Sequence, residues 1–290
     1  MPVDKTQSDN LASDARDADV PEWAARGLSV DQLSLPNASR MYDYYLGGHH
    51  NLTIDRKAAE AAIAIYPGFA LAMQANRAFV RRAVKFLAGQ GVERFLDSGS
   101  GIPTVGNVHE VAQRVVPAAR VVYVDIDPVA VAHSAALLQD NPTAAIVRAD
   151  IRAPQQILDH PTVRALLATD QPVALLLGFV LHFVVDDAQA LSVVRVLRDA
   201  LPSGSFVVIS HGTVERLPAE ILKQLVGLYT GTSQPVKPRP RAEIEAYFEG
   251  LELVEPGLVF VPEWRPEEPS DLLLDQPERS IGFAGIGKKP

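Results

Sequence analysis

The sequence predicts an α/β fold, an open and mostly parallel sheet with helices on both faces that a late antiparallel hairpin closes. Three observations predict it. From Arg94 onward, short apolar runs alternate with segments of helical periodicity, the pattern of strands joined by crossover helices. The stretch Glu93–Thr104, ERFLDSGSGIPT, carries apolar Phe95 and Leu96 into Asp97 and then Gly99 and Gly101, so it reads as a buried strand turning toward a helix. Finally, Leu251–Val261 and Ser280–Gly287 are β-like runs with only irregular chain between them, which makes antiparallel neighbours the simplest arrangement.

Taken in order, residues 1–20 are polar and rich in Asp, Ser and Ala, and read as a mobile tail. The block that follows packs three tyrosines, an arginine, an aspartate and two glycines into Arg40–Gly48. Helices are expected over Asp55–Ile65 and Gly68–Leu87, the second with Phe69, Met73, Phe79, Val80, Val84 and Leu87 at helical spacing and Gly89 and Gly91 as stops. The first strand, Arg94–Asp97, leads to a helix from Thr104 striped by Val105, Val108, Val111 and Val115. A second strand, Arg120–Asp125, is followed by Asp127-Pro128, a cap and first-turn proline that start a helix. The third and fourth strands are Ala144–Arg148 and Val173–Leu177, with a short helix at His160–Thr169 between them. A helix over Asp187–Ala200 and the turn Pro202-Ser203-Gly204 precede the fifth strand, Ser205–Ser210. Helices at Pro218–Tyr229 and Arg241–Phe248 flank the proline-rich QPVKPRP.

The totals narrow the function. At 290 residues and 47% hydrophobic, the chain buries enough for one large domain with additions. With 27 basic and 35 acidic residues, a formal −8, it lacks the electrostatic footprint of a nucleic-acid binder. The absence of cysteine removes disulfides, thiolate nucleophiles and zinc–thiolate sites. No apolar leader or stretch of membrane-spanning length is apparent, so a cytoplasmic location without membrane attachment is expected.

Ligands of open α/β sheets bind outside the carboxyl ends of the strands, where strand order reverses. The first strand delivers Asp97, Ser98, Gly99 and Gly101 there, and the second delivers Asp125, suited to the two hydroxyls of a ribose. Asp150 and Ile151 follow the third strand, with Asp150 suited to the exocyclic amine of a purine, and Gly178 and Phe179 follow the fourth, where they would line an adenine face. The set describes a site for an adenosine-containing molecule. A dinucleotide fingerprint would need a third glycine where Thr104 stands. Asp97 would repel a pyrophosphate but suits a ligand bearing an ammonium or a sulfonium.

These motifs carry a resemblance. FLDSGSG is similar to the first motif of class I S-adenosylmethionine-dependent methyltransferases, VVYVDIDP to their strand-two motif and RADI to their strand-three motif. PNASRMYDYYLGGHHN, ANRAFVRRAV, LLGFVLHFV and GLELVEPGLV further resemble a bacterial S-adenosyl methyltransferase family with no generally assigned substrate, over roughly Leu35 to Lys288. Ser98 and Ser100 stand where similar motifs often have an apolar residue and a Thr or Cys. The resemblance implies a Rossmann-like, seven-stranded sheet, an N-terminal helical lid over residues 21–91 and a methyltransferase core over 92–290. It also implies S-adenosylmethionine as cofactor, with S-adenosylhomocysteine as product. Asp97 would meet the methionine amino group, Gly99 and Gly101 the cofactor backbone, Asp125 the ribose, and Asp150 with Ile151 the adenine. Tyr42, Tyr45 and Gly47 would belong to the lid, where tyrosine faces favour a sulfonium by about 0.5–2 kcal/mol.

Each of these assignments has a structural rival. The tyrosines read equally as a packing patch, and Asp43 with Arg40 as a surface ion pair. His182 and His211, just past strand ends on the acceptor side, are candidate general bases or hydrogen-bonded structural histidines, and Tyr44 is a further polar candidate there. The proline-rich segment and the loop at Trp264 are expected to shape the acceptor pocket. No metal is expected, because His49 and His50 lack companion ligands. The acceptor is expected to be a small molecule, and the oligomeric state stays open. A cofactor-binding protein without transferase activity and a nicotinamide-dependent oxidoreductase are the alternatives, and both retain the same fold.

Overall fold

The computed structural model describes residues 33–103, 106–268 and 271–290. The expected tail, the beginning of the expected lid, and Thr104 and Val105 lie outside them. Five parallel strands, β1 (Arg94–Ser98), β2 (Arg120–Asp125), β3 (Ala144–Arg148), β4 (Val173–Gly178) and β5 (Phe206–Gly212), coincide with the predicted runs to within two residues. Beyond them β8 (Gly282–Lys288) pairs antiparallel with the whole of β5. Its other edge takes two short strands in succession, β6 (Glu252–Leu253) and β7 (Val259–Phe260). The order β3-β2-β1-β4-β5-β8-β6 therefore has seven positions filled by eight strands. The run expected as one strand over Leu251–Val261 is split because Glu255-Pro256-Gly257 cannot continue a ladder: proline lacks the N–H, and Gly257 adopts φ +86°.

Helices α1 (Ala38–Tyr45), α2 (Thr53–Ile65) and α3 (Phe69–Gly89) precede the sheet. Asn37 caps α1 by accepting from the Ser39 N–H at 2.8 Å. α3 carries its apolar stripe against one face of the sheet, so that Phe79, Val84 and Leu87 share a core with Phe95, Val121 and Leu176. The opposite face packs Leu96, Val122 and Leu175 against Ile157, against Val163 and Leu166 of α7 (Pro161–Leu167) and against Val193, Val194 and Leu197 of α8 (Asp187–Asp199), whereas Val108, Val111 and Ala112 after β1 join the core beneath α3. α4 (Val108–Val115) starts later than predicted, because the Glu110 carboxylate reaches back to accept from the Asn107 N–H and Nδ2, both at 3.1 Å. Val115, expected in its buried stripe, is exposed. α5 (Pro128–Leu137) begins as predicted, with Asp127 accepting from the Ala130 N–H at 3.1 Å. α6 (Pro154–Asp159) is additional to the predicted elements, and α9 (Ala219–Thr230) and α10 (Arg241–Glu245) follow β5. No single helix among the described residues is long and apolar enough to cross a membrane.

Trp264, expected beside an acceptor pocket, is instead fully buried, with its ring edge-on to Phe79 and Phe86 at centroid distances of 5.5 and 5.7 Å. The backbone carbonyls of Trp264 and Val261 accept from the Arg82 guanidinium, tying this loop to α3. Trp264→Ala should lower unfolding stability in denaturant by about 3–5 kcal/mol, with S-adenosylhomocysteine affinity in the folded fraction unchanged. A loss of affinity without a loss of stability would place Trp264 at the site after all.

Candidate functional site

Strand order reverses between β1 and β4, and a single cleft opens above the carboxyl ends of the strands at that point. Asp97 near the end of β1, Gly99 and Gly101 after it, Asp125 at the end of β2, Asp150 and Ile151 after β3, and Gly178 and Phe179 at β4 all line it. Gly99 (φ +81°) and Gly101 (φ +67°) need the left-handed region, and a Cβ at Gly99 would sit 2.6 Å from the Cβ of Val180. Phe179 is itself left-handed at φ +49°, a strained conformation for an aromatic residue, and its ring passes under Gly282 where a Cβ would collide at 2.8 Å.

The two inner carboxylates are buried at 6% and 4% exposure. Burial raises the pKa of Asp97 to about 7; Arg77 acts against this and Asp125 adds to it. Burial likewise raises Asp125 to about 6, although its oxygens accept from the N–H groups of Gly101 at 2.7 Å and Asp127 at 2.8 Å. Asp150 is more open, and both of its oxygens accept from the Arg152 guanidinium, which also lines the cleft.

The helices before the sheet roof the cleft with Tyr42 from α1 and Phe69, Met73, Asn76, Arg77 and Val80 from α3. A buried relay fixes this roof: Ser210 Oγ donates to Asn76 Oδ1 at 2.6 Å, Asn76 Nδ2 donates to Tyr42 Oη at 2.9 Å, and Tyr42 Oη donates to the Met73 carbonyl. Sequence reasoning assigned no role to Asn76, Arg77 or Arg152. For Asn76 a signal existed, a polar side chain inside the apolar stripe between Met73 and Phe79.

Polarity divides along the sheet. All five charged residues of the cleft, Arg77, Asp97, Asp125, Asp150 and Arg152, belong to the β1–β3 half or face it. Over β4, β5 and β8 the walls are Phe183, Leu222, Leu225, Val226, Val236 and Ile281, with His182, Thr213, Tyr229 and Gln234 as the polar groups. Three members of the proline-rich segment, Gln234, Val236 and Pro238, reach this half, held by the Lys237 N–H donating to the His182 carbonyl and the Arg239 N–H donating to the Gly212 carbonyl.

His182 lines the cleft, and its Nδ1 accepts from the Gly212 N–H at 3.4 Å, favouring the neutral tautomer with the proton on Nε2. Burial, with His211 and Arg239 nearby, holds its pKa well below the usual imidazole range. His211 does not reach the cleft. It is fully buried, donates from Nδ1 to the Gly212 carbonyl at 2.7 Å, and accepts at Nε2 from Arg239 at 3.1 Å, which leaves no lone pair for an acceptor. Burial first, and Arg239 second, lower its pKa to about 3.

Other expected residues also lie elsewhere. Ser98 is fully buried within β1. Tyr45 packs edge-on to Phe69 at 5.2 Å, behind the roof. Gly47 (φ +77°) ends α1 by donating to the Tyr44 carbonyl, and Tyr44 points to Glu60. Arg40 is no surface partner of Asp43: it is buried against Asp55 at 2.8 Å and Asp127 at 3.4 Å, while Asp43 accepts from Asn51 Nδ2 and the His50 N–H.

A family model described as S-adenosyl methyltransferase matches residues 24–290. A crystal structure from Thermobifida fusca YX, provisionally assigned as a methyltransferase, is 41% identical with a TM-score of 0.85, over 93% of this chain and 99% of that one. A DUF574 family protein from Streptomyces avermitilis MA-4680 is 40% identical with a TM-score of 0.84, over 89% of this chain and 98% of that one. No curated protein matches the chain.

The His211 environment makes a direct prediction. In two-dimensional 1H–15N spectra of its side chain, His211 should remain the neutral Nδ1–H tautomer from pH 8 down to pH 5. Titration near pH 6.5 would contradict the buried pairing with Arg239.

Proposed function

This chain belongs to the S-adenosyl methyltransferase family, and from that premise we propose that it transfers the methyl group of S-adenosylmethionine to a small, uncharged and largely apolar acceptor. The observation that carries the reading is the division of one cleft into a charged half over β1–β3 and an apolar half over β4, β5 and α9.

The residues present fit the cofactor. Gly101 lines the cleft with open space where a Cβ would stand, and the Oγ of the neighbouring Ser100 is buried without a hydrogen-bond partner, so the turn after β1 is a cradle with an unspent donor. Asp97 would hold the ammonium of the amino-acid end, and Asp125, aimed by the Gly101 and Asp127 amides, the ribose hydroxyls. Ile151, Gly178 and Phe179 would flank the adenine, and Asp150 would accept from its amine while shared with Arg152. Bound there, the cofactor supplies a methyl group on a positively charged sulfur.

What the chain adds is alignment. The Tyr42–Asn76–Ser210 relay fixes the roof across the junction between the two halves, so reactants placed in them are held side by side beneath it. Tyr42, the one predicted lid tyrosine that lines the cleft, is available to a cationic sulfur. His182, with its proton on Nε2, is suited to orient an acceptor by donating a hydrogen bond rather than to abstract a proton. An open apolar chamber beside the carboxylates favours transfer over simple cofactor sensing.

The raised pKa of Asp97 gives the reading a pH signature. An ammonium is bound by the ionised carboxylate, and a proton competes for it. Calorimetric titration with S-adenosylhomocysteine should show affinity falling about tenfold from pH 8 to pH 6, as Asp97 titrates near 7. Asp97→Asn should bind weakly with no such slope. Wild-type affinity in Asp97→Asn would sink the assignment.

A further inference from the structure

Arg77 projects from α3 into the charged half of the cleft, where its charge opposes the desolvation of Asp97. Its Nη2 donates to Asn107 Oδ1 at 3.1 Å, and Asn107 is in turn locked by the capping pair with Glu110, so the guanidinium is anchored at one corner. Its Nε–H is buried with no hydrogen-bond partner. Among the described residues Arg77 makes no ion pair within 4 Å, although buried Asp97 lines the same half of the cleft. A buried N–H of a charged group left unmade is costly, and guanidinium geometry matches a carboxylate bidentately. Two opposite charges that line one half of a cleft without pairing are arranged for a ligand carrying both signs. A neutral nucleoside would leave each of them unmet.

We propose that Arg77 binds the α-carboxylate of the methyl donor's amino-acid end and forms with Asp97 a two-charge clamp selective for a zwitterion. This rests on the methyltransferase reading and adds a specificity determinant to it. Ser100 Oγ, buried, unpartnered and on the same cleft wall, is the second donor available to that carboxylate. Asp97 takes the ammonium, Arg77 the carboxylate, and the thioether or sulfonium that lies between them and the ribose is thereby placed along the cleft.

The test is a calorimetric cycle that removes the carboxylate from either side. S-adenosylhomocysteine, its decarboxylated analogue and 5′-methylthioadenosine are titrated into wild type, Arg77→Ala and Arg77→Lys, with circular dichroism confirming folding. Wild type should prefer S-adenosylhomocysteine over the decarboxylated analogue by about tenfold or more. Arg77→Ala should lose that preference while binding 5′-methylthioadenosine within about twofold of wild type, and Arg77→Lys should recover part of it. Equal weakening of all three ligands would make Arg77 a structural residue and overturn the proposal, as would an intact carboxylate preference in Arg77→Ala. Should Arg77→Ala fail to fold, the wild-type comparison of the two carboxylate-differing ligands decides alone, with equal affinities overturning the clamp. Failure of wild type to bind any of the three, with no ligand retained on purification, would refute the cofactor assignment itself.

Discussion

A guanidinium with no exposed surface holds this molecule's two halves in register. Arg40, in the first described helix, donates to Asp55 at the start of the second and to the Leu35 carbonyl, and reaches Asp127 beyond the end of β2. Asp55 also accepts from the Asn37 and Leu52 N–H groups, so one carboxylate closes the start of both helices. Asp127 caps α5, and its own N–H points at Asp125, whose other oxygen is held by Gly101. A continuous path of buried polar contacts thus runs from the N-terminal helices to the cleft carboxylate of β2 and on to the glycine turn of β1. Buried ion pairs seldom add net stability, because desolvation offsets their attraction, but they punish any arrangement that leaves a partner unmet. Here that penalty fixes where the roof sits.

The cleft beneath that roof is built from groups that are uncomfortable on their own. Asp97 and Asp125 face the same space, both desolvated and each raised by acidic neighbours. Phe179 keeps a strained backbone, and Gly99 tolerates no side chain against Val180. Such features persist because the surrounding strands overdetermine them, and they leave unspent binding capacity directed at a cationic, donor-rich ligand. The apolar half needs no such tension: the proline-rich segment is held by its own Arg239, which bonds Asp187, the Leu181 and Val184 carbonyls and His211.

Much of this was legible in the sequence because it is local. Strands β1 to β5 are short apolar runs bounded by turn residues, and their ends necessarily bring Asp97, Asp125, Asp150 and Phe179 to one rim of a parallel sheet. What escaped was set by tertiary packing. Arg40 and Arg77 look like ordinary charged helix residues, and only the fold reveals that one is entombed and the other faces the cleft. Trp264 and His211 follow strands or turns at plausible positions, yet the core claims the first and Arg239 the second. The late start of α4 was written in Asn107 and Glu110, but the valine spacing through Val105 pointed earlier. Tyr45 and Tyr42 are three residues apart on the same helix; one supports the roof from behind and the other lines the cleft, a difference of helix rotation that composition cannot express.

The N-terminal helices are accordingly part of the site's construction rather than a cover laid on a finished core. The most direct test is calorimetric titration of S-adenosylhomocysteine into Arg40→Lys, which keeps the buried charge but cannot bridge Asp55, Leu35 and Asp127 with a planar fork. Arg40 does not line the cleft, so it acts on the ligand through what it positions, the polar path to Asp125 and the helix that carries Tyr42. Affinity reduced by about tenfold or more in a variant whose near-ultraviolet circular dichroism matches wild type is the predicted result. Wild-type affinity in that variant would contradict the account.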